Sequence, residues 1–235
     1  MFSFRDTYDL DPGGPRVEVA FTDATYDLQS TIEKVDGFSR AIAAVEDATG
    51  VTFARMSQVH GADVIEIDRA WPPGPRHDGQ VPVADALVTT RSGVGLMVRV
   101  ADCVPVLIAG DGVVGAVHAG RKGLVTDVVT RTIERMRSLG AEHLHAWIGP
   151  HICGRCYEVP AEMRAEVADS VPVTWSETSW GTPALDLGAG VASQLEAAGV
   201  GFARVEMCTL EDEHLHSYRR QGTESGRLAG LVWMP

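Results

Sequence analysis

LMVRVADCVPVLIAGDGVVGAVHAGRKGL, residues 96–124, is the stretch on which the fold turns. It reads as two apolar strands, each ending in a reactive side chain. A first strand over 96–100 leads to Asp102 and Cys103, and the apolar run resumes over 104–109. Gly110-Asp111-Gly112 then reverses the chain. A second strand over 113–117 delivers His118, and Gly120-Arg121-Lys122-Gly123 opens a helix. The reading therefore puts a thiol and an imidazole at adjacent strand exits, beside a basic helix start.

Working outward, residues 1–16 read as turn-rich around Pro12, Gly13, Gly14 and Pro15, and residues 17–21 as a strand. Residues 39–49 (SRAIAAVEDAT) form an amphipathic helix stopped by Gly50. Strands are predicted over 52–60, ending at His60, and over 64–67 and 84–90. The proline-rich segment 71–82 (WPPGPRHDGQVP) is a loop, either a lid or a connection. A helix spans 123–139, with Leu124, Val128, Val129, Ile133 and Met136 on one face. Strands follow at 144–148, 205–209 and 228–233, and helices at 160–170 and 186–199. Strands and helices mix without strict alternation, which gives an α+β class, or α/β with mixed sheets, in one domain over 1–235.

A chain of 235 residues can bury roughly 70–75% of its unfolded surface without disulfides. Hydrophobic residues make up 45% and charged ones 22%, the balance of an ordinary globular protein. The net charge of −12 argues against nucleic-acid and acidic-membrane partners. No apolar run approaches a membrane span. The opening MFSFRDTYDLDPGG carries Arg5, Asp6, Asp9 and Asp11 and does not read as a signal peptide. With four cysteines and no export signal, the expected setting is the cytoplasm, with the cysteines as thiols.

His60, Cys103 and His118 each close a predicted strand. Two imidazoles and one thiolate suit Zn²⁺, and three protein ligands leave a fourth position open, as in catalytic sites. Two other readings stand beside this one. Cys103 and the histidines could be satisfied core residues, or a metal-free Cys–His pair with Asp102 as orienter. Cys153-Gly-Arg-Cys156 could be a redox or metal pair, or two loop thiols, and Cys208 reads as core. His143/His145 and His214/His216 are His-x-His pairs of the kind that share a metal on one strand face. Copper oxidases of that type need more such pairs and a His-Cys-His bridge, which is absent here. Arg121 and Lys122 at a helix start offer an anion site, and Ser217-Tyr218-Arg219-Arg220 is a second basic cluster.

Taken in order, SQVHGADV, ADALVTT, RVADCVPVLI, GAVHAGRKGL, IGP…CYEV and HSYRR…GRLAGLVWM resemble the laccase-domain (YfiH-type) family. That family is also called polyphenol oxidase-like or peptidoglycan-editing factor. The resemblance implies a compact α/β/β/α domain of mixed sheets, with His60, Cys103 and His118 as zinc ligands and catalytic residues. It also implies phosphorolysis of adenosine, inosine and methylthioadenosine, with adenosine deamination. Nucleoside and phosphate would then be the partners, with Arg121, Lys122 and Arg220 on the phosphate. Alternatives are an amidase editing a cell-wall precursor, copper-dependent phenol oxidation, and a weakened enzyme acting as a binding protein. Two departures touch the substrate contacts. Where the family has His-Ala-Gly-Trp-Arg-Gly, this chain has His118-Ala-Gly-Arg121-Lys122-Gly123, and lysine is not a bidentate phosphate fork. The segment Phe21-Thr22-Asp23-Ala24-Thr25 replaces a longer loop carrying Gly-Gly and arginine.

Overall fold

The computed structural model describes residues 1–9, 16–30, 34–69 and 81–235. The predicted turn around Pro12–Pro15 and most of the proline-rich loop at 71–82 lie outside the described residues. Two sheets stack face to face and helices cover both outer faces. The first sheet contains β1 (Phe2–Asp9), β2 (Arg16–Thr22), β3 (Thr52–Ala54), β6 (Val94–Val100) and β13 (Leu228–Trp233), in the order β1-β2-β13-β6-β3. The second contains β4 (Val64–Glu66), β5 (Ala86–Thr89), β7 (Val104–Gly110), β8 (Val113–Ala119), β9 (His145–Ile148) and β12 (Gly201–Arg204), in the order β12-β9-β7-β8-β5-β4. Both sheets mix parallel and antiparallel pairs. A small ribbon pairs β10 (Trp175–Glu177) with β11 (Pro183–Leu185).

Period-two alternation explains the layering. Leu96, Val98 and Val100 of β6 point between the sheets, where they meet Leu107 and Ala109 of β7, Val114 and Ala116 of β8, and Trp147 of β9. Met97 points the other way, toward α1 (Val35–Thr49), whose Phe38, Ala41, Ile42 and Val45 recur at helical spacing. On the far side, Val106, Ile108 and Val117 pack against α2 (Arg121–Val125), α3 (Val128–Ser138) and α5 (Leu187–Ala197) through Leu124, Val129, Ile133, Val191 and Leu195. Each large side chain buried this way contributes roughly 1.5–3 kcal/mol. α4 (Ala161–Ser170) adds Val167 to the same layer. The result is the expected α/β/β/α arrangement of mixed sheets.

Several expectations change. The stretch from 96 to 109 does not stay in one sheet, because the chain crosses from the first to the second at Ala101-Asp102-Cys103. Asp102 turns this corner with φ of 86°. Cys103 therefore stands at the start of β7 rather than at a strand exit. Antiparallel pairing of Val104 with Ala119 still puts it beside His118. The helix expected over 123–139 is two helices, broken where Asp127 takes φ of 63°. The segment at 205–209 is not a regular strand. β1 replaces much of the N-terminal turn region, since Phe2, Phe4 and Tyr8 can pair with β2.

Candidate active site

The corner at 101–103, the end of β8 and the loop after β3 converge at one edge of the seam between the sheets. Their side-chain ligand atoms, from His60, Cys103 and His118, lie within 4.8 Å of one another. Cys103 Sγ is 3.7 Å from His60 Nε2, and the two imidazole rings meet edge to face at 4.8 Å. Gly120 makes this closeness possible, because a Cβ there would come within 2.6 Å of His60 Cδ2 and 3.3 Å of Cys103 Sγ. Gly120→Ala should push His60 aside and weaken metal binding by about tenfold or more, measured by chelator competition against a thermal-melting control.

Behind the cluster lies Asp85, a fully buried carboxylate that the sequence reading did not single out. It accepts backbone N–H bonds from Val59 at 3.2 Å, His60 at 2.9 Å and Gly61 at 2.6 Å. Its Oδ1 also lies 2.7 Å from His118 Nδ1. A carboxylate accepts only, so Nδ1 carries the proton and Nε2 is the ligand atom that faces the cluster. Burial alone would raise the Asp85 carboxyl, but the bonds from His118, Gly61 and Val59 hold it below the usual carboxylate range. Asp85 is thus the orienter, and Asp102 is not. The Asp102 carboxylate accepts from Thr209 Oγ1 at 2.6 Å and from the Arg219 N–H at 2.6 Å, bracing the corner that carries Cys103.

The donor set fits a zinc ion. Tetrahedral Zn²⁺ with Zn–S of about 2.3 Å and Zn–N of about 2.0–2.1 Å spaces its ligand atoms by about 3.3–3.6 Å. Without metal, the same groups form an ion pair. Burial opposes ionisation of Cys103, but His118 and His60 outweigh it and bring the thiol down to about 6. Burial likewise opposes the His118 charge, while the thiolate and Asp85 raise its imidazole to about 9. Iodoacetamide should therefore alkylate Cys103 in chelator-stripped protein with a rate that climbs through about pH 6 and then levels. An ordinary cysteine would show its rise near pH 8.5.

Two lobes flank the cluster, and His60, Cys103 and Tyr157 line both. The larger, about 540 Å³, is also lined by Gln29, Gln58, Arg99, Tyr218, Arg219 and Arg227. The smaller, about 260 Å³, is lined by Val59, Arg121 and Lys122. Arg220 is not among either set of lining residues. Its guanidinium donates to the carbonyls of Thr209, Leu210, Asp212 and Leu215, which hold it as a loop brace. Its neighbour Arg219 reaches the larger lobe instead, over the Tyr157 ring at 5.3 Å.

The His-x-His pairs form no metal cluster among the described residues. His143 is exposed beside Asp111, and His145 stacks on Tyr8. His214 lies in an exposed turn and His216 faces the Tyr26 carbonyl. Cys156 and Cys208 are both pushed above the usual thiol range, by burial first. Thiols raised in this way are poor attacking groups.

The fold and site define a two-sheet α/β protein with a carboxylate-anchored thiol–imidazole centre. The chain belongs to the multi-copper polyphenol oxidoreductase laccase family, which matches residues 22–235. It is 54% identical over 184 residues to a Streptomyces griseus protein named purine nucleoside phosphorylase, covering 76% of this chain and 73% of that one. A Deinococcus radiodurans protein of the same name is 36% identical over 226 residues, covering 94% and 84%. Among solved structures, a Neisseria meningitidis protein superposes with a TM-score of 0.79 at 26% identity, covering 98% of each chain. The YfiH protein of Bacillus licheniformis shares the fold, with a TM-score of 0.80 at 21% identity over 97% and 98%. No described helix is long and apolar enough to cross a membrane.

Proposed function

We propose that the chain is a zinc-dependent purine nucleoside phosphorylase that also deaminates adenosine. The observation that carries this reading is the pair of lobes meeting at the His60–Cys103 wall. The larger has room for a nucleoside, and the smaller, with two cations, suits phosphate. The names of the relatives supply the same substrate pair.

His60, Cys103 and His118 hold the metal, which when bound supplies Lewis acidity at the junction of the lobes. Asp85 keeps the His118 proton on Nδ1. Arg121 and Lys122 bind phosphate, Arg121 through its guanidinium fork one position earlier than in the family pattern and Lys122 as a point charge. Arg220 takes no part. In phosphorolysis a phosphate oxygen bonds to the ribose anomeric carbon as the bond to the purine nitrogen breaks, and the base leaves protonated. The Tyr157 hydroxyl, raised by burial and then by the Cys103 thiolate, stays neutral and can donate at either lobe. In the larger lobe Gln58 is already paired with the Arg99 backbone at 2.7 and 2.9 Å. Gln29 Oε1 has no partner, so it is the acceptor available to a purine amine.

Purified protein should release free base and ribose 1-phosphate from adenosine, inosine and methylthioadenosine only when phosphate is present. It should release ammonia from adenosine without phosphate. Arg121→Ala and Lys122→Ala should each raise the KM for phosphate by about tenfold and leave deamination nearly unchanged. Turnover of a nucleotide-linked muropeptide amide, with nucleosides inert, would replace this reading by the editing amidase.

A further inference from the structure

The residues of a second cluster line neither lobe. The ligand atoms of Cys153, Cys156, Cys208 and Glu211 also fall within 4.8 Å of one another. They come from two turns of the same form, Cys153-Gly-Arg-Cys156 after β9 and Cys208-Thr-Leu-Glu211 after β12. Each turn presents a ligand at its first and fourth positions. β9 and β12 are parallel neighbours, so the two turns emerge side by side. A backbone bridge between His151 and Cys208 fixes their register.

Backbone donors converge on one sulfur of the cluster. The Cys153 N–H donates to Cys208 Sγ at 3.4 Å, and the N–H groups of Leu210 and Glu211 point at the same atom. Within the first turn, the Cys156 and Tyr157 N–H groups donate to the Cys153 carbonyl at 2.9 and 3.0 Å, which folds Cys156 back toward Cys153. Cys156 is buried and Glu211 is exposed, so an ion has three inner sulfurs and an open path past the carboxylate.

We propose that Cys153, Cys156, Cys208 and Glu211 form a second, structural zinc site. Three thiolates and one carboxylate close a tetrahedron, leaving no position for substrate. The residue that follows each turn's buried or central cysteine serves the active site. Tyr157 lines both lobes, and Thr209 holds the Asp102 carboxylate at the corner. An ion here fixes both walls at once.

The test is zinc content by elemental analysis, with wild type, Cys103→Ser, Cys103→Ser/Cys156→Ser and Glu211→Gln purified under reducing conditions. Wild type should carry about two ions per chain, Cys103→Ser about one and the double variant none. Glu211→Gln, at an exposed position that does not threaten folding, should lose the second ion to a chelator about tenfold more readily. Cobalt(II) added to zinc-stripped Cys103→Ser should give strong thiolate-to-metal absorption, absent in the double variant. Zinc-free Cys103→Ser that takes up no cobalt would overturn the proposal. So would intact mass showing Cys153, Cys156 or Cys208 joined as a disulfide in protein purified without reductant. Because the readout is metal rather than turnover, failure of the phosphorylase reading leaves this result distinct.

Discussion

Cys103→Ala should remove the metal at the His60–His118 centre and lower phosphorolysis by two orders of magnitude or more, about 3 kcal/mol of barrier. The reason is geometric as well as chemical. Cys103 brings the only sulfur to the cluster with His60 and His118 and forms part of the wall shared by the two lobes. Metal content and turnover should fall together, and ring contacts elsewhere should stay, because the side chain removed is small and partly exposed. Full turnover in Cys103→Ala would reject the role of this centre in the reaction. Copper in place of zinc in the wild-type protein would favour phenol oxidation instead.

Asp85→Ala should damage folding severely. It strips the shared acceptor from three backbone donors and from the His118 imidazole in a fully buried place. Loss of one partner of such a buried network costs about 3–5 kcal/mol, readable as a lower urea midpoint. Asp85→Asn keeps the volume but turns an amide N–H₂ toward donors, so it should lose less stability. It should still weaken metal binding by about 10–100-fold, as for other groups that orient a ligating histidine. The pH signature follows from the direction of each shift. Asp85 is depressed in the folded protein, so its contribution is present above about pH 4 and is lost as pH falls through its folded value. His118 in the metal-free protein is raised, so its contribution is complete below about pH 6.5 and fades as pH rises through about 9. Asp85→Asn should remove the acid limb and only soften the alkaline one, because the Cys103 thiolate raises His118 before Asp85 does.

Much of the architecture was legible because local patterns carry it. The apolar runs of β6, β7 and β8, the Gly110–Gly112 turn and the helical spacing of α1 all follow from neighbours in sequence. The same turn made Cys103 and His118 neighbours. Four things lay beyond reach. Continuous apolar strands look alike whether they stay in one sheet or change sheets, so the crossover at 101–103 left no mark in composition. Asp85 sits among Ala84, Ala86 and Leu87 like any strand residue, and its partners are 24 to 33 positions away. Arg219 and Arg220 are indistinguishable as a basic pair, and only the curl of the chain decides which one faces the larger lobe and which one caps carbonyls. Cys208 read as core for the same reason, since its companions come from a turn more than fifty residues earlier.

His60 and Asp102 both hold φ in the left-handed region, at 60° and 86°. Glycine would relax either position, yet neither position can give up its side chain. One supplies an imidazole to the cluster, and the other receives Thr209 and the Arg219 amide. Each strained residue carries about 1–3 kcal/mol that the rest of the fold must offset. At Asp102 the two hydrogen bonds that its carboxylate accepts offset the strain, whereas at His60 selection for thermal robustness and selection for turnover pull in opposite directions. Variants evolved for heat alone should drift to glycine at His60 and lose activity as they gain melting temperature.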